Sequence, residues 1–127
     1  MLVCVADVRG SAPRAPGTVM MVFAERVIGT IGGGALEFEC VLEARRRLAT
    51  GSDIPGLRRF ALGPMLGQCC GGVAEVLFHL TLAHDPWVTR LGALAQSDTP
   101  SVLVIEVDEP GGTIAIVTAA DHWVWRG

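Results

Sequence analysis

Residues 32–50, GGGALEFECVLEARRRLAT, decide the fold, because they set a helix into a chain that otherwise reads mostly as strands. Ala, Leu, Glu and Arg favour helix, and the three glycines release the chain into it from a β-rich run. On a helical wheel Leu36, Cys40, Val41, Ala44 and Leu48 share one broad stripe, and Glu39, Glu43, Arg46 and Arg47 fall opposite. Cys40 therefore reads as core, and the arginine run as a solvated face. Glutamates come early and arginines late, as the helix dipole favours, and Glu43 with Arg47 forms an i, i+4 pair. Glu37 is the exception: it lies at the angle of the apolar stripe, where a carboxylate must find a partner.

Upstream of this helix, LVCVADV reads as a strand, and GSAPRAPG is a loop of fixed shape because two prolines and two glycines deny it regular structure. TVMMVFA and RVIGTI, separated by ER, read as a hairpin. Downstream, GSDIPG is a linker, LRRFAL a strand and GPMLGQCCGG a second irregular loop. VAEVLFHLTL alternates, with Val76, Phe78, Leu80 and Leu82 on one face and Glu75, His79 and Thr81 on the other, which predicts that His79 points to the polar side. PWVTRLGALAQ after Asp85 suits a second helix with Pro86 in its first position. SVLVIEV and TIAIVTA flank the turn-rich DEPGG and predict a second hairpin. Strands with two inserted helices predict an α+β fold, with a mixed or antiparallel sheet, in a single domain.

At 127 residues the chain is long enough to hold a core without covalent staples. Its apolar fraction is 50%, yet its longest apolar runs are far shorter than the roughly 20 residues that span a bilayer. With no transmembrane run and no basic leader, the expected location is the cytoplasm, away from any membrane. The four cysteines are then expected to be reduced. A net charge of −3, with Arg45-Arg46-Arg47 as the largest basic cluster, gives no electrostatic case for nucleic acid.

Three loops contain more glycine, proline and polar chemistry than connection requires: GSAPRAPG, GTIGGG and GPMLGQCCGG. Each follows a strand, so all three are positioned to gather at one end of the sheet. Gly32, Gly33 and Gly34 at a helix start suit the approach of a phosphate to backbone N–H groups. The motif is neither a P-loop nor a dinucleotide fingerprint, and a tight turn explains it equally well. Glu37 either caps the helix start or accepts hydrogen bonds from a ligand. Arg14, stiffened by flanking prolines, can aim its guanidinium at a phosphate with little entropy lost. Cys69 and Cys70 are adjacent, so they face opposite ways in an extended chain and are too close to bridge each other. Zinc requires wider spacing and four ligands, and His79, His84 and His122 show no ligand spacing. A thiolate made available by glycine N–H groups is the reading that fits the pair.

GSAPRAPG, GTIGGGALE and LGPMLGQCCGG, in this order, resemble the N-terminal domain of the xanthine dehydrogenase accessory proteins, the XdhC/CoxI family, over about residues 3–82. The resemblance assigns residues 1–127 to that domain, without the Rossmann-like domain into which family members continue. It implies a chaperone, not an enzyme in the turnover sense. Such a protein binds the molybdenum cofactor (molybdopterin), aids its sulfuration with a cysteine desulfurase, and delivers it to a molybdenum hydroxylase such as xanthine dehydrogenase. The implied cofactor-binding residues are Ser11, Arg14, Gly32, Gly33, Gly34, Glu37, Gln68, Cys69 and Cys70, the two cysteines contacting the molybdenum–sulfur centre. Completing the site calls for a homodimer or a separate Rossmann-like partner. The alternative reading is a sulfur-transfer protein that carries a persulfide on Cys69 or Cys70.

Overall fold

A computed structural model describes residues 1–52, 55–63, 71–107 and 114–121. The strand expected at the start of the chain is β1, Leu2–Arg9. The hairpin after it is β2, Val19–Val22, and β3, Val27–Gly29, paired antiparallel. The helix α1 runs Gly34–Thr50, and β4, Gly56–Ala61, and β5, Val73–His79, follow. The second helix α2 is Pro86–Gln96, with proline in its first turn as expected, and β6, Ser101–Ile105, pairs antiparallel with β7, Ile114–Thr118.

The fold is α+β, as predicted, and every ladder between these strands is antiparallel. The strands form two sheets, however, where the pattern suggested one. The main sheet has the order β3-β2-β1-β5-β4, and β6-β7 stands apart as a ribbon against which α2 lies. No described helix is long and apolar enough to cross a membrane.

The core lies between α1 and one face of the main sheet. Val3 and Val5 of β1, Met20 and Val22 of β2, Phe60 of β4 and Ala74, Val76 and Phe78 of β5 meet Leu36, Cys40 and Ala44 of α1. This is the stripe read from the wheel. A buried Leu or Val contributes roughly 1.5–3 kcal/mol, so this face holds the helix far more firmly than its intrinsic propensity does. Gly51, at φ 66°, closes α1 with its N–H directed at the last-turn carbonyls.

Two placements differ from the sequence reading. Glu43 is buried, not on the solvated face, because three guanidinium groups surround it. His79 is also buried. It lies on the side of β5 away from α1, in register with Leu2, and that side is itself closed over Leu2 and Leu77, so it is not the wet face that alternation predicted.

Candidate functional site

Antiparallel pairing around β1 makes β1, β3 and β4 run the same way, so they end at the same edge of the sheet. The three loops singled out in the sequence leave from those ends, as expected. Because β1 is central, its loop lies between the other two. A register shift between Val5 and Asp7 bends β1 just before it reaches this edge.

The contacts are close enough to exclude any side chain. At Gly72 an added Cβ would lie 2.1 Å from the Ser11 carbonyl oxygen and 2.8 Å from that of Arg9. Ser11 forms a parallel bridge with Gly71, and the Leu62 N–H donates to the Gly72 carbonyl at 2.8 Å. The far end of the segment containing GQCC is thereby tied to the first loop, and its two ends are tied to each other. On the other flank, a Cβ at Gly32 would lie 2.6 Å from Pro13 Cβ and 3.2 Å from Arg14 Cγ. The stem of Arg14 thus crosses the bare backbone of Gly32. Arg14 itself is exposed, and its guanidinium forms no ion pair among the described residues.

Gly32, Gly33 and Gly34 take φ values of 119°, 74° and 67°, a left-handed run that residues with a Cβ adopt only under strain. Glu37 stabilises it from within. Its Oε2 accepts from the Thr30 hydroxyl at 2.5 Å, the Ile31 N–H at 3.0 Å and the Gly33 N–H at 2.9 Å. The Thr30 hydroxyl also accepts from the Gly32 N–H at 3.0 Å. The Thr30 hydroxyl first, and the loop N–H groups after it, hold the Glu37 carboxyl below its usual range against the opposing effect of burial. Glu37 therefore makes the capping-type interaction, and it takes the N–H groups of Ile31 and Gly33 that a phosphate would otherwise meet. Its Oε1 accepts no hydrogen bond among the described residues. Thr30 was missed from sequence; a hydroxyl directly before a glycine run, with a glutamate one turn into the helix, is the signal that points to it.

Gln68, Cys69 and Cys70 lie outside the described residues. The other two cysteines offer no reactive thiol. Burial pushes Cys40 up to about 12, and burial also raises Cys4, with the Gly17 backbone opposing weakly. No cluster of three or more His, Cys, Asp or Glu among the described residues is arranged to hold a metal.

A model of the XdhC and CoxI family matches residues 1–61. The XdhC/CoxI resemblance holds over that span. The matched span contains the GSAPRAPG and GTIGGGALE motifs and ends before GQCCGG. The chain also shares its fold with a crystal structure described as a xanthine dehydrogenase from Bacillus halodurans. The TM-score is 0.70 at 20% identity, and the alignment covers 99% of this chain and 39% of that one. At that identity the likeness is one of fold, and this chain spans well under half of the other's length. No curated protein matches.

Proposed function

We propose that this chain is an accessory protein that binds the molybdenum cofactor and serves the maturation of a molybdenum hydroxylase of the xanthine dehydrogenase type. The observation that supports this most directly is the convergence of the three motif loops at one sheet edge, with Arg14 laid over Gly32 and Ser11 bridged to Gly71.

The donors and acceptors at that edge suit such a ligand. Arg14, whose guanidinium has no ion-pair partner among the described residues, is suited to the phosphate. Glu37 Oε1, which accepts no hydrogen bond among the described residues, is an acceptor suited to pterin N–H groups. Gly32, Gly33 and Gly34 let Arg14 and Glu37 pack against the bare backbone and so hold both side chains at this edge. Ser11 adds a hydrogen-bonding group at the same edge, and Gln68, outside the described residues, is read as a further one. Cys69 and Cys70 supply soft sulfur ligands suited to the molybdenum–sulfur centre, which is the redox chemistry the cofactor brings when bound. A cysteine desulfurase is the natural sulfur donor, and a second copy or a Rossmann-like partner would close the open side of the site.

The test is cofactor retained after gel filtration by the wild-type chain, by Arg14→Ala and by the double variant Cys69→Ala/Cys70→Ala. Each variant is expected to retain less. Undiminished retention in the double variant removes the thiolate role, and undiminished retention in both removes the site. Gain of one sulfur mass on a loop cysteine after incubation with a cysteine desulfurase, without cofactor binding, would replace this reading with that of a persulfide carrier.

A further inference from the structure

The opposite end of the main sheet has its own charged cluster, which the cofactor reading does not use. Glu43, only 7% exposed, accepts hydrogen bonds from Arg46 Nε at 2.9 Å, Arg46 Nη2 at 2.8 Å and Arg47 Nε at 2.7 Å. Arg58 Nη1 of β4 approaches its second oxygen at 3.3 Å. Three guanidinium groups thus share one carboxylate, and no other ion pair reaches them among the described residues. Among the described residues the cluster has two positive charges in excess.

Those charges border a cleft of about 430 Å³, lined by Arg46, Arg47, Thr50, Ser52, Pro55 and Gly56. Arg47 is 17% exposed and is fixed on three sides. Glu43 holds its Nε, its guanidinium lies 5.0 Å from the centre of the Phe78 ring, and its Nη1 fills the place that a Cβ on Gly56 would take, 2.7 Å away. Ordering such a side chain on ligand binding has little further entropic cost. Arg46 directs two of its donors at Glu43 and keeps its remaining N–H groups for the exposed side, where the residue is 64% accessible. The Ser52 hydroxyl makes no hydrogen bond among the described residues. The negative end of the α1 dipole is locally quenched: Thr50 Oγ1 donates to the Arg46 and Arg47 carbonyls, and the Gly51 and Ser52 N–H groups donate to those of Leu48 and Arg47.

We propose that this Arg46–Arg47–Ser52 cleft is a binding site for a phosphate-bearing ligand, with Glu43 as the residue that positions its guanidinium groups. A planar fork with spare N–H donors, and with charge that no other described residue compensates, matches a phosphate or diphosphate in both geometry and charge. The site is distinct from the loop edge, because Gly56 begins the strand whose far end, Ala61, is there, roughly 17 Å along β4 at strand rise.

The experiment follows backbone amide resonances of the full chain as inorganic pyrophosphate is added. Saturable shifts are expected at Ser52 and Gly56, with affinity about ten-fold or more weaker in Arg46→Ala, whose spectrum otherwise shows a folded chain. Ser52→Ala provides a second, milder variant with a loss in the same direction. Shifts that sodium chloride reproduces at equal ionic strength, shifts confined to Gly32 and Gly33, or an affinity unaffected by Arg46→Ala would each overturn the proposal.

Discussion

Gly72→Ala tests whether the loop edge is built by backbone contact. The new Cβ would sit 2.1 Å from the Ser11 carbonyl oxygen, 0.9 Å inside the 3.0 Å that real Cβ atoms respect, and 2.8 Å from the Arg9 carbonyl. Both obstacles are main chain in or beside β1, so neither can swing away as a long side chain would. Relief requires parting the first loop from the start of β5. That movement strains the Ser11–Gly71 bridge and the Leu62 N–H bond to the Gly72 carbonyl. Overpacking costs about 1–3 kcal/mol, and two weakened hydrogen bonds add roughly 1 kcal/mol each. The expected loss is thus on the order of 3–5 kcal/mol, or about 12–20 °C in Tm for a chain of this size. Urea unfolding followed by circular dichroism measures it directly. Gly63→Ala is the control, since no atom of the described residues lies within 4 Å of its added Cβ and it is expected to stay within about 0.5 kcal/mol of wild type. If Gly72→Ala unfolds at the same urea concentration as Gly63→Ala, the inferred tight junction between the loops is wrong.

Glu37→Gln should loosen the Thr30–Gly33 turn by about 1 kcal/mol, since a neutral amide is a weaker acceptor for three donors than a carboxylate; amide hydrogen exchange at Ile31 and Gly33 should quicken, and unchanged exchange would count against the capping role. Glu43 is held down to about 2, first by Arg46, with Arg47 adding and burial opposing. Its folded pKa is below its unfolded one, so its contribution is present above about pH 4.5 and is lost as the pH falls towards 2. Glu43→Gln should start less stable by about 2 kcal/mol and show a shallower acid decline, because its guanidinium partners are left uncompensated; a decline as steep as that of wild type would assign the acid limb to other groups. Cys40, buried and pushed up to about 12, should resist a disulfide reagent at pH 8 until urea unfolds the chain. Peptide mapping that finds Cys40 labelled as fast as a model thiol would contradict that burial.

What could be read from sequence and what could not divide along local and non-local causes. The stripe Leu36–Cys40–Ala44 and the αL stop at Gly51 are set within a few residues, so periodicity and composition found α1. Glu43 was misplaced because its burial depends on Arg58, which arrives from β4 fifteen positions later. His79 was misplaced for a related reason: alternation separates the two faces of a strand but does not say whether the second face is wet. Here that face is closed at Leu2 and Leu77. Convergence of the three loops followed from each one succeeding a strand, whereas their order around the site required β1 to be central.

That order changes what the motif glycines do. Read one at a time they suggested a cradle for a ligand, but the structure uses several of them to join the loops to each other. Gly72 makes room for the Ser11 and Arg9 carbonyls, Gly32 makes room for Pro13 and the stem of Arg14, and the Gly33 N–H is held by Glu37. Where the described parts of these loops pack this closely they have few alternative arrangements, so Ser11, Arg14 and Glu37 are held in fixed relation before any ligand arrives. In the proposed function, selectivity then depends on Arg14, Ser11, the open oxygen of Glu37 and the side chains of Gln68, Cys69 and Cys70. A glycine substitution at Gly32 or Gly72 should consequently weaken cofactor retention only in proportion to the stability it removes. Arg14→Ala should weaken retention with the urea midpoint unchanged, because its guanidinium has no partner among the described residues to lose. If the glycine variants lose retention while keeping wild-type stability, the glycines contact the ligand themselves and the division of roles argued here is wrong.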